Sequence, residues 1–163
     1  MTVQIENRDN GIRIVRLTGA AASKSFSRES MPIIAGAIDD GLSDQSVRAM
    51  IITGDGKFFS AGADIHAFQE AIDTNDAPQL IRDLTNILHP LLIRIRQSST
   101  IVVGAINGAA AGGGLGLALA CDVRIGSPKA KLAASYASIG LSPDGGTTWL
   151  LPRLVGEHVS RRF

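Results

Sequence analysis

Phe58-Phe59-Ser60-Ala61-Gly62-Ala63-Asp64-Ile65 and Asn107-Gly108-Ala109-Ala110-Ala111-Gly112-Gly113-Gly114-Leu115-Gly116 are the two stretches whose reading decides the fold. Each follows a short apolar run, residues 49–53 and 101–106, and each opens into a helical pattern. The runs read as buried strands. A strand, a turn of small residues and a helix start leave backbone N–H groups with no intrahelical acceptor. Such groups can hold a negatively charged oxygen. Asp64 at the mouth of its helix suits both capping and the helix dipole. Taken singly, the first stretch reads as an ordinary capped helix start and the second as tight helix–strand packing. Taken together, two turns can aim two N–H groups at one oxygen, as an oxyanion hole does. That arrangement suits a thioester carbonyl on its way to an enolate, because backbone donors are rigid and do not titrate.

The glycine pattern excludes two rival ligands. Gly112-x-Gly114-x-Gly116 is not the G-x-G-x-x-G of a dinucleotide loop, and Asp122 lies too close to serve as its ribose acid. No Gly-Lys-Ser/Thr follows, so a phosphate P-loop is excluded as well.

Outward from these loops, residues 3–6 and 12–17 alternate apolar and polar, with Asp9-Asn10-Gly11 between them, which predicts a hairpin. Residues 20–27 read as a loop and 27–42 as a helix. Residues 54–57 read as a turn, and a helix starts within 63–71. Leu80, Leu84, Ile87, Leu88, Leu91, Leu92 and Ile95 recur at helical spacing and predict the longest helix over 76–97. A small-residue helix over 112–120, a strand over 123–125 and a helix over 147–154, limited by Pro152, complete the pattern. The last residues, Val159-Ser160-Arg161-Arg162-Phe163, read as the opening of a further helix. Alternating strands and helices imply an α/β fold with parallel pairing, and one domain over residues 1–163 is the simplest account.

Composition narrows the partners. The chain has 163 residues, 45% of them hydrophobic and 19% charged, with a formal net charge of +1. That balance is globular rather than disordered, and it predicts no nucleic-acid or membrane partner. Residues 101–121 are long and apolar, but Asn107 and the glycines mark them as buried core rather than a membrane span. The polar N-terminus has no apolar signal core, and the lone Cys121 suits a reducing compartment, so a cytoplasmic location is expected.

These motifs, in this order, resemble the crotonase superfamily, the enoyl-CoA hydratase/isomerase enzymes. Phe59-Ser60-Ala61-Gly62-Ala63-Asp64-Ile65 is similar to its FxAGADI segment, and Val103-x-Ala105-Ile106-Asn107-Gly108 with Gly112-Gly113-Gly114 to its second loop. Ala120-Cys121-Asp122-Val123-Arg124-Ile125, Ala130-Lys131-Leu132 and Gly140-Leu141-Ser142-Pro143-Asp144-Gly145-Gly146-Thr147 resemble the segments that follow. The resemblance covers essentially the whole chain. It implies the crotonase ββα spiral, an acyl-CoA thioester as partner, and no cofactor beyond the coenzyme A of the substrate. It also implies a homo-oligomer, a trimer or hexamer, and a further helical region after the spiral core that this sequence does not contain.

The same resemblance assigns the oxyanion-hole N–H groups to Ala63 and Gly113. It places adenine and pantetheine contacts around Ala61, Asp64 and Ile65. Lys24, and with it Lys57, is a candidate neighbour of the phosphates. The usual Arg-Pro of that loop is missing from Leu17-Thr18-Gly19-Ala20-Ala21. The family's hydratases use two glutamates; those positions hold Gly116 and Tyr136 here. Glycine cannot act as an acid or base, and a phenol of ordinary pKa, about 10, is a poor base at neutral pH. Asp144 remains. Superfamily isomerases, including the ring-epoxide isomerases of phenylacetate breakdown, carry an aspartate there, and a related dehalogenase uses that position as nucleophile. One carboxylate can take a proton from one carbon and return it to another. By pattern alone Asp144, before a helix and after Pro143, also reads as an N-cap. Tyr136 is expected to shape the acyl pocket, and Phe26, Phe68 and Leu115 to line the acyl path. His66 and His89 have no acidic or serine partner nearby in sequence and read as surface residues; His158 is assigned nothing. No Cys/His cluster suggests a metal, and Ser60 and Ser142 lack a His–acid partner for a hydrolase triad. The expected reaction is double-bond isomerisation, with hydration by non-standard residues or non-catalytic acyl-CoA binding as alternatives.

Overall fold

After an N-terminal hairpin, each pass of the chain lays one strand in each of two sheets and returns through helix. The computed structural model describes residues 2–163. β1 (Val3–Arg8) and β2 (Ile12–Leu17) pair antiparallel, turning at Gly11 with its φ of 77°. β3 (Ala49–Thr53), β5 (Ile101–Ile106) and β7 (Val123–Gly126) add to β2 in parallel, in the order β1-β2-β3-β5-β7. One row of the ladder runs Ile14, Ile51, Val103, Val123. A second, parallel sheet holds β4 (Phe58–Ser60), β6 (Ala109–Ala111) and β8 (Lys131–Ala133). This is the spiral architecture the motifs implied.

The three strands of the second sheet are short, and periodicity did not reveal them. Three residues cannot show a period of two; β4 and β6 lie inside the two glycine-loop stretches, and β8 lies where no strand was expected. Residues 20–27, expected as loop, contain a single helical turn, α1 (Ala20–Ser23), in which Ala21 and Ala22 are buried against the core. α2 is Ser30–Ser43, α3 Ile65–Asp73 and α4 Ala77–Gln97. α4 buries Leu80, Leu84, Leu88, Leu91, Leu92 and Ile95 of the apolar stripe read from spacing and leaves its seventh member, Ile87, half-buried. α5 (Gly113–Ala120) is buried along its whole length. The apolar stretch 101–121 is therefore two strands and a short core helix, and among the described residues no helix is long and apolar enough to cross a membrane. α6 (Thr147–Val155) continues through Pro152, and α7 (Glu157–Ser160) is one turn.

Asn107 ties the two sheets at their corner. Its side-chain oxygen accepts from the Gly54 N–H at 2.9 Å, and its amide donates to the Phe58 carbonyl at 3.0 Å. These bonds satisfy the backbone where β3 leaves one sheet and β4 enters the other, and so they place the first glycine loop beside the second.

Candidate active site

The two loops meet because α5 packs onto β4 with no side chain between them. A Cβ on Gly114 would sit 2.1 Å from the Ser60 carbonyl oxygen, a distance only glycine allows. The first loop is pinned from the other side: Ala61 N–H donates to the Ala22 carbonyl, and Phe26 N–H donates to the Gly62 carbonyl beside the Phe26–Ala63 bridge. Gly113 is the first residue of α5, so its N–H has no acceptor within the helix. Among the described residues, neither it nor the Ala63 N–H donates to a loop or cap carbonyl.

Ala63 and Gly113 line one cavity of about 620 Å³. Ala61, Ile65, Tyr136 and Asp144 line it too, and its walls are mainly apolar, with Phe26, Phe68, Leu84 and Leu88 among them. Leu115, expected on the acyl path, does not reach it. It lies in a small separate core with Leu119 and Leu151, on the opposite side of a fully buried helix.

Asp144 is not a cap. The N-cap of α6 is Gly146, and no side chain caps it. The Asp144 carbonyl accepts the Thr147 N–H at 3.0 Å and the Tyr136 hydroxyl at 3.3 Å, which fixes the backbone and leaves the carboxylate to the cavity. The carboxylate meets a partner that spacing along the chain could not show. His89 Nε2 on α4 lies 3.6 Å from Asp144 Oδ2, and His89 lines the same cavity. The expected surface position of His89 holds, its side chain being about half exposed, but the expectation that it lacks a partner is overturned: the two residues are 55 positions apart in sequence, and only the packing of α4 across the spiral joins them. His66 and His158 are exposed, the latter against Arg162.

The positions of the hydratase glutamates are occupied. At Gly116 a Cβ would lie 2.3 Å from the Gly145 carbonyl oxygen, so the backbone of the Asp144 loop fills the space a side chain would need. Tyr136 is buried, and burial, then the charge of Asp144, pushes its hydroxyl well above the usual phenol range, where it stays protonated. Lys24 and Asp64 lie outside the cavity lining and pair with each other at 2.7 Å. Asp64 also caps α3, accepting the His66 N–H at 3.1 Å. The Lys24 ammonium is the main cause holding the Asp64 carboxyl below the ordinary range. Ser60 is buried and donates to Ser25 rather than to any histidine. Among the described residues no three His, Cys, Asp or Glu side chains gather to hold a metal ion.

Comparison with known proteins places the chain in a family. A family model described as enoyl-CoA hydratase/isomerase matches residues 7–163. "Probable enoyl-CoA hydratase" of Mycobacterium tuberculosis is 35% identical over 94% of this chain and 58% of its own length. 1,2-Epoxyphenylacetyl-CoA isomerase of Escherichia coli is 33% identical over 91% of this chain and 56% of its own length. The crystal structure of an enoyl-CoA hydratase from Bacillus halodurans superposes with a TM-score of 0.88 at 26% identity, covering 99% of this chain and 64% of that one. The chain therefore spans little more than half the length of these curated relatives. With the spiral architecture, the paired glycine loops and the family match in agreement, the chain belongs to the enoyl-CoA hydratase/isomerase family.

Proposed function

We propose that this chain carries the acyl-CoA site of an enoyl-CoA isomerase. In this reading the thioester oxygen accepts from the Ala63 and Gly113 N–H groups. Asp144 removes a proton from one acyl carbon and delivers a proton two carbons away, and the N–H pair stabilises the dienolate between those steps. Coenzyme A enters as part of the substrate, with Ala61, Asp64 and Ile65 near the adenine and pantetheine and Lys24 near the phosphates. Tyr136 shapes the acyl end. Residues 1–163 act as one domain, in the cytoplasm.

One observation carries the choice of reaction. Asp144 shares a cavity with both loops, while the Gly145 backbone occupies the space beside Gly116 where a hydratase would place its first glutamate. A single carboxylate suffices for a proton shift, whereas hydration, without the two glutamates, would have to fall to Asp144 and its neighbour His89. The name of the Mycobacterium tuberculosis relative favours hydration as the second reading.

Incubation with a 3-enoyl-CoA and a 2-enoyl-CoA, with products identified by mass and NMR, separates the readings. A shifted double bond without mass gain supports isomerisation. Addition of water makes the protein a hydratase. Binding without turnover makes it an acyl-CoA-binding domain.

The reading extends to assembly. Trp149, Leu154, Val155, Val159 and Phe163 on and after α6 are all at least 40% exposed, and so many exposed apolar side chains at one end of the chain favour a second copy of it as their cover.

A further inference from the structure

The cavity lining holds three titratable groups: His89, Tyr136 and Asp144. Tyr136 is held protonated by burial and gives its hydroxyl to the Asp144 carbonyl, so it does not trade protons at neutral pH. His89 is different. An imidazole can carry or release a proton near neutrality. Its Nε2 lies 3.6 Å from Asp144 Oδ2, and its side chain is 46% exposed, so the ring touches both the carboxylate and solvent. The distance is long for a hydrogen bond, and contacts of this kind tighten when substrate fills the site.

Resting on the isomerase reading, we propose that His89 is a proton relay between Asp144 and solvent. The acyl C–H bond breaks, an O–H bond forms on Asp144, and the electron pair passes to the thioester oxygen as the dienolate. The Asp144 proton then moves to His89 Nε2, leaving a carboxylate–imidazolium pair. The net charge of the two residues is the same before and after that transfer, which suits a site walled by apolar groups. The exposed ring exchanges its proton with water. The reverse path puts a solvent-derived proton on the second carbon as the double bond closes. The product carries the same atoms as the substrate, and no oxidant or co-reactant enters.

The test is isotopic. The protein converts a 3-enoyl-CoA in D2O, and deuterium at the newly protonated carbon is read by NMR and mass. The expected result is extensive labelling by the wild type and a several-fold lower labelled fraction with His89→Gln and His89→Asn, whose folding is checked by thermal unfolding. A merely structural role for His89 would change rate without changing the labelled fraction. A second measurement needs no variant: substrate deuterated at the abstracted position is converted in ordinary water by the wild type. Loss of the label to solvent is expected, and complete retention overturns the relay. Equal labelling in wild type and variants overturns it too, because Asp144 would then exchange with water directly. Absence of any double-bond shift overturns the isomerase reading, and the relay with it.

Discussion

Gly116 and Gly145 meet backbone to backbone: a Cβ on Gly116 would stand 2.3 Å from the Gly145 carbonyl oxygen. The contact seats the Asp144 loop against α5 and holds that carboxylate near the N-terminus of the helix. Gly116→Ala forces the loop away, because backbone rather than a flexible side-chain end blocks the new methyl. The expected cost is about 1–3 kcal/mol in urea unfolding, with turnover lost ahead of stability. Unchanged stability and activity would show that the loop yields without consequence.

Asp144→Asn preserves shape and removes the base. Turnover of a 3-enoyl-CoA is expected to fall by about 100- to 10,000-fold. Affinity for a saturated acyl-CoA, measured by calorimetry, stays near that of the wild type, since neither loop N–H is touched. Retained turnover would require another base.

Asp64 links stability to acidity. Its carboxyl is lowered on folding, chiefly by the Lys24 ammonium. A lowered carboxyl contributes stability above its unfolded titration near pH ~3.9, and that contribution is lost as pH falls through the lower folded value. Asp64→Asn keeps a capping side chain on α3 but removes the charge. The variant should be less stable than the wild type at neutral pH, by less than about 1 kcal/mol because Lys24 is half exposed, and the gap should close in acid. Chemical unfolding at several pH values reads the difference. A gap that widens in acid would reverse the sign.

Asn107→Ala leaves the Gly54 N–H and the Phe58 carbonyl without the partners that join the two sheets. A loss of about 1–3 kcal/mol is expected in urea unfolding. The displaced loop should also weaken acyl-CoA binding, which calorimetry measures.

Sedimentation across a concentration series tests assembly. The wild type should sediment faster as concentration rises, and Trp149→Glu, which puts a charge on a side chain 63% exposed, should suppress the shift. A monomer at every concentration ends that proposal.

The sequence by itself determined the parallel α/β pattern, the hairpin, the long helix from Leu80 to Ile95, and the two glycine loops with Ala63 and Gly113 in them. These are local properties: apolar spacing records which face is buried, and consecutive glycines record where backbone must come close. Resemblance in ordered motifs added the family and singled out Asp144. Tertiary structure decided the rest. β4, β6 and β8 are too short to carry a period and exist because neighbouring turns of the spiral stack them. Leu115 faces its own small core rather than the cavity because α5 is buried on every side. The Gly116–Gly145 contact and the approach of His89 to Asp144 join residues far apart in sequence, and no spacing along the chain records how α4 and α5 cross the site. Closeness of that kind is set by packing, which is a property of all the elements together.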